Sequence, residues 1–98
     1  MCYDCNDFFK GKPSDEELEM LSLNIAEGWK SLGRRLKIDD ALLTSFDREN
    51  EEYREKSYKM LLHWRNREGS LATYQLLYQA LCHELVNRRD LAENLCCE

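Results

Sequence analysis

Between Met60 and Leu95, apolar residues fall in three short runs at helical spacing, separated by tight joints. The runs are Met60-Leu-Leu-His-Trp64, Leu76-Leu-x-x-Ala80-Leu81 and Leu91-Ala-x-x-Leu95. A repeat of three and four residues lines one face of a helix, and runs this short cannot make one long rod. They must fold back on each other to bury their stripes. The rest of the chain obeys the same rule: Leu, Glu, Lys, Arg and Gln dominate, Pro occurs once, and no alternating stretch is long enough for a strand. The chain reads as all-α.

Ninety-eight residues with 43% apolar content suit one domain with a modest core. Charged residues make up 34% and the net charge is −5, a mixed surface without the basic face of a nucleic-acid binder. No apolar run approaches the length of a membrane span, and Asp4 and Asp7 break any signal-peptide pattern at the start. The five cysteines are Cys2, Cys5, Cys82, Cys96 and Cys97, an odd count with an adjacent pair. That is a poor disulfide framework, so reduced thiols and a cytoplasmic setting are expected.

Residues 1–13 read as a leader without regular structure, whose Tyr3, Phe8 and Phe9 dock on a domain spanning 14–98. Ser14-Asp-Glu-Glu17 has the pattern of a capping box, followed by Leu18, Leu21 and Ile25 on one helical face. Gly28 interrupts, and a second helix carries Trp29, Leu32 and Leu36 inward, with Gly33 allowing a kink or close approach. Asp39 or Asp40 caps a third helix holding Leu42, Leu43 and Phe46. Asp47 to Glu52 reads as a charged loop, with Asn50 capping a fourth helix that runs from Glu51 to Glu68 and buries Met60, Leu61 and Trp64. Gly69 stops it. Thr73 caps a fifth helix with Leu76, Leu77, Ala80 and Leu81 inward. Asn87 and Asp90, at capping-box spacing, open a sixth, in which Leu91, Ala92 and Leu95 close the core. The chain's last residues, just past Cys96, put the domain at a C-terminus.

Trp29-Lys-Ser-Leu32-Gly-Arg-Arg-Leu36 resembles the Trp-x-x-Leu-Ala-x-x-Leu of a death domain's second helix. Leu61-Leu-x-Trp64 with Gly69 and Ala72-Thr73 is similar to the fourth helix and its exit. Leu77-x-x-Ala80-Leu81 and Asp90-Leu-Ala-Glu-x-Leu95 are similar to the fifth and sixth. Taken in order over residues 14–97, these motifs resemble the death-domain superfamily of apoptotic and inflammatory adaptors, receptors and kinases. Two places depart: Gly33 stands where Ala is common, and the joint before the last helix is longer, reading Leu85-Val-Asn87.

The resemblance implies a six-helix antiparallel bundle in Greek-key order. It also implies a non-catalytic role, in which the domain binds other death-domain proteins or itself through asymmetric surfaces and so gathers caspases or kinases in apoptotic or NF-κB-type signalling. A second role that it implies is structural or autoregulatory, as in cytoskeletal ankyrins and netrin-type receptors.

Charge follows an ordered pattern along the chain. Asp15, Glu16, Glu17 and Glu19 make an acidic start. Arg34, Arg35 and Lys37 form a basic knot; Asp39, Asp40, Asp47, Glu49, Glu51 and Glu52 an acidic stretch; Arg65, Arg67, Arg88 and Arg89 a second basic group. An ordinary solvated surface carries charges too, but separated signs suit head-to-tail stacking of like-shaped domains. These basic and acidic residues, from Arg34 onward, are the candidate partner contacts. The expected core is Leu18, Leu21, Ile25, Trp29, Leu32, Leu36, Phe46, Leu61, Trp64, Leu77, Leu81, Leu91 and Leu95.

Catalysis finds no footing: there is no nucleophile elbow and no glycine-rich phosphate loop, and His63 and His83 stand twenty residues apart. No cofactor or metal is expected. The weaker competing idea is zinc, held by Cys2-x-x-Cys5 and Cys96-Cys97 at about 2.3 Å.

Overall fold

Ser14 opens the helical part of the chain with the reciprocal bonds its pattern predicts. Its Oγ accepts from the Glu17 amide at 3.2 Å, and Glu17 Oε1 accepts from the Ser14 amide at 2.9 Å. In the computed structural model, which describes residues 7–97, six α-helices follow: α1 Asp15–Ile25, α2 Trp29–Arg35, α3 Asp40–Glu49, α4 Tyr53–Glu68, α5 Tyr74–Cys82 and α6 Arg89–Cys96. Single turns of 3-10 helix, Ala26–Gly28 and Gly69–Leu71, bridge α1 to α2 and α4 toward α5. The described residues contain no strand, only an isolated antiparallel bridge between Phe8 and Cys97. Beside it, the Phe9 amide donates to the Cys96 carbonyl at 3.0 Å.

The longest helix organises the rest. Against α4 pack α1, most extensively, then α2 and α3; α5 and α6 form a pair that reaches the others through α1–α6 and α2–α5 contacts. Leu18, Leu32, Leu61, Leu77 and Leu81 are fully buried, with Leu21, Ile25, Trp29, Leu36 and Trp64 nearly so. Truncating either Trp to Ala would remove about 3–5 kcal/mol. Two glycines have specific work. Gly33 brings α2 against α3, since a Cβ there would lie 2.6 Å from Leu43 Cδ2; Gly69 ends α4 at φ 58°. The turn after α1, by contrast, uses Ala26 at φ 50°, and Gly28 keeps an ordinary negative φ.

Several local expectations are overturned. The charge run 47–52 is not all loop, because α3 continues through Glu49. Within that helix, Lys30 and Lys56 bind the Asp47 carboxylate at 2.9 and 2.5 Å. Asn50 ends α3, donating to the Phe46 carbonyl at 3.0 Å, and does not cap α4. The Asn87–Asp90 capping box does not form: Arg88 occupies the N-cap, Asn87 takes φ 55°, and Asp90 pairs with Arg88. Leu76 faces out, 42% exposed, because Tyr74, Leu77, Tyr78 and Leu81 fill the inward stripe of α5. Phe46, Leu91 and Leu95 are only partly buried, and Ala92 and Cys96 take the inward positions of α6.

Phe8 and Phe9 do lie on the domain. Phe8 meets Tyr78 edge-on at 5.3 Å, and Phe9 meets Tyr74 at 5.5 Å. Tyr3, Cys2 and Cys5 fall outside the described residues. The thiol expectation is corrected as well: Cys82 and Cys97 are disulfide-bonded, and Cys96 is a buried free thiol. A disulfide sulfur cannot act as a thiolate ligand, which removes Cys97 from the zinc set. Among the described residues, no helix is long and apolar enough to cross a membrane.

Candidate functional site

The charged residues divide into those that hold the fold together and those that face outward. Arg65 on α4 is structural. It donates to the Pro13 carbonyl at 3.0 Å and forms an ion pair with Asp15, tying the entry of α1 to α4. Arg88 works at the opposite end of α1, donating to the Asn24 carbonyl at 3.1 Å while pairing with Asp90. That pairing raises the Arg88 pKa and lowers that of Asp90. An α-helix rises about 1.5 Å per residue, so these two arginines sit an α1 length apart. The expected second basic group is therefore not one patch. Arg89 pairs with Glu93 at 2.9 Å within α6.

Arg67 belongs with the first basic group. Its Nη2 donates to the Leu36 carbonyl at 2.7 Å and its Nη1 to the Lys37 carbonyl at 2.8 Å, so it caps the C-terminus of α2 from α4. Glu68 holds the same guanidinium at 2.7 Å. Around this cap stand Arg34 and Arg35, in the last turn of α2, and Lys37, exposed at φ 67°. Arg34 meets Asp40 at 3.1 Å, so the basic knot and the acidic stretch touch at their border. Arg35 Nη1 lies 3.3 Å from His83 Nε2, at the end of α5. His83 is a member of this cluster that the sequence hid, because 48 residues separate it from Arg35.

On the acidic side, Asp47 is committed to Lys56 and Lys30, whose hydrogen bonds hold its carboxyl below the usual range. Glu49 accepts from Ser45 at 2.9 Å. Asp39, Glu51 and Glu52 remain exposed around α3 and its exit, with Glu52 only loosely near Arg54 at 3.9 Å. Exposed pairs of this kind are worth little and exchange readily with a partner's charges.

Two clefts border these surfaces. One, of about 400 Å³, lies between the end of α2, α4 and α5 and contains Arg35, Lys37, Trp64, Leu76 and His83. Another, of about 520 Å³, separates α1 from α6 and is walled by Phe9, Met20, Leu21, Leu91 and Leu95, with Glu16 and Glu17 beside them. Met20 and Leu23 are 59% and 56% exposed, making the outer side of α1 unusually apolar. The two clefts thus differ in charge, one bordered by Arg35 and Lys37 and the other by Glu16 and Glu17.

The family model described as "Death domain" matches residues 15–96. Human (Homo sapiens) THO complex subunit 1 is 29% identical over 90 residues, 91% of this chain and 13% of that protein. The mouse (Mus musculus) counterpart is 30% identical over the same share. The chain thus spans only 13% of the length of these relatives.

Proposed function

The chain belongs to the death-domain family, and from that membership we propose that it acts without catalysis, associating with other death domains or with a second copy of itself. This reading takes the helices as the six-membered antiparallel packet, in Greek-key order, typical of the family. It assigns the contacts to the outward residues of two surfaces: Arg34, Arg35 and Lys37 on one, and Asp39, Asp40, Glu49, Glu51 and Glu52 on the other. Arg89 adds to the basic side from α6. The observation that carries it is the family match over nearly the whole chain, joined to exposed basic residues at the end of α2 and exposed acids at the exit of α3. The family's habit supports a cytoplasmic role in apoptotic or NF-κB-type signalling, against which the disulfide-bonded Cys82 and Cys97 weigh. The similarity to THO complex subunit 1 favours a second reading, in which the domain joins its parent chain to a multisubunit complex.

Charge reversal tests the homotypic reading. Arg34→Glu in one protein and Glu51→Lys with Glu52→Lys in another should each abolish self-association in sedimentation velocity at low salt. Mixing the two variants should restore a dimer, because each retains the surface that the other lost. Added salt should weaken association of the parent chain. If the parent chain stays monomeric across concentration and captures no purified death domain, the homotypic reading fails and the second takes its place.

A further inference from the structure

His83, in the cleft between α2, α4 and α5, faces a hydrogen-bond donor at each ring nitrogen. His83 Nδ1 accepts the Leu85 amide proton at 3.1 Å. A neutral imidazole has one acceptor nitrogen, so it cannot receive donors at both Nδ1 and Nε2. Nε2 in turn lies 3.3 Å from Arg35 Nη1, and a guanidinium only donates. Of the two donors, one is therefore left without an acceptor on the ring, whichever nitrogen carries the proton. In addition, Arg35 Nε is buried and has no hydrogen-bond partner among the described residues. Buried donors left unmade cost free energy, so such a cluster favours a ligand that brings oxygen acceptors.

The surroundings narrow what that ligand is. Lys37 adds a positive charge at the rim, and Glu68, the carboxylate in the lining, is already held by Arg67. Leu36, Trp64 and Ala80 make an apolar floor, and Leu76 projects 42% exposed at the edge. A cationic spot on an apolar floor suits one carboxylate presented beside an aliphatic side chain. A phosphate dianion fits less well, with Glu68 in the wall and a chain of net charge −5. We propose that this cleft anchors an aspartate or glutamate of a partner protein. That carboxylate accepts from Arg35 and His83, while the residue next to it packs on Leu76. The proposal rests on the chain's being a protein-binding module, but not on the partner's being a death domain.

The test is an NMR titration of the intact chain, following backbone amides, the Arg35 Nε–H resonance and the His83 ring. The probes are the capped peptide acetyl-Leu-Glu-Asp-Leu-amide, its Gln/Asn analogue, and inorganic phosphate, at constant ionic strength. The acidic peptide should give saturable shifts at Arg35, His83 and Leu76, with the neutral analogue roughly tenfold weaker or more. Arg35→Gln should remove the response, and Arg35→Lys, which keeps the charge without Nε–H, should weaken it while the amide spectrum stays folded. Equal binding of the neutral peptide overturns the proposal. So does a response spread equally to Arg54 and Lys59 in the first half of α4, or saturation by phosphate alone. Self-association that persists in Arg35→Gln, with no peptide response in the parent chain, removes this site and leaves the homotypic reading standing. A peptide response in a chain that never self-associates does the reverse.

Discussion

At the scale of single residues, Ala26 is where the backbone conflicts most plainly with its side chain. It holds φ 50° and ψ −126°, a conformation that crowds a Cβ and that glycine adopts freely. Ala26→Gly should therefore raise stability by about 1 kcal/mol in urea unfolding, the relieved strain exceeding the entropy that glycine adds to the unfolded chain. A loss of stability would mean that the turn is not strained. Gly33 gives the opposite case. Leu43 is 1% exposed and has little room to retreat from a new side chain. Gly33→Val should cost about 2–3 kcal/mol. The buried acids set a pH limit. Burial pushes the Cys96 thiol from 9.0 to about 12. Burial, aided by the Glu17 carboxylate, pushes the Tyr74 hydroxyl from 10.0 to about 12. Both are neutral when folded and lose their protons earlier when unfolded. Their contribution is complete below pH 9 and is lost as pH climbs toward 12. Melting temperature should fall over that window, and Cys96→Ser should flatten its lower part.

At the scale of elements, caps and ends decide what each helix can be. Ser14→Ala should destabilise the protein by about 1 kcal/mol, read from the denaturant midpoint. Glu17 serves that cap and also accepts from Tyr74 Oη at 2.5 Å, so one carboxylate joins α1 to α5. The capping box at Ser14 was legible in the sequence because both partners lie within three residues. Buried stripes such as Leu18, Leu21 and Ile25 were legible for the same reason, since periodicity is a local signal. What could not be read was whatever depends on distant partners. Asp47 pairs with Lys30, 17 residues away, and Arg88 reaches Asn24 across 64. Leu76 and Leu77 are adjacent, so the spacing alone did not say which would face the core; Tyr74 and Tyr78 decided it. The basic residues misled most. Arg65, Arg67 and Arg88 look like surface charge in one dimension and turn out to bind main-chain carbonyls of other elements.

At the scale of the molecule, the mixed surface is less segregated than the order of charges along the chain implies. Ion pairs at Arg34–Asp40 and Lys30–Asp47 stitch the signs together. On the proposed reading, the surfaces open to partners are the α2 end and the α3 exit. Disulfides at Cys82 and Cys97 add covalent restraint near the α5 end and just past α6. Reduction should lower the melting temperature by constraining the unfolded chain less. In hydrogen exchange it should expose the Phe9 amide well before any amide of α4. Unchanged protection at Phe9 would mean that the aromatic contacts with Tyr78 and Tyr74 suffice to hold that segment.

The pairing of Phe8 with Cys97 has a mechanical corollary. Polypeptide entering through one and leaving through the other emerges from a single corner, so the domain can hang from a longer protein like a bead on a looped thread. Once the Cys97 disulfide is reduced, tension along that thread would peel this small clasp before loading the helices, and short spacers would suffice to graft the bead into a host loop.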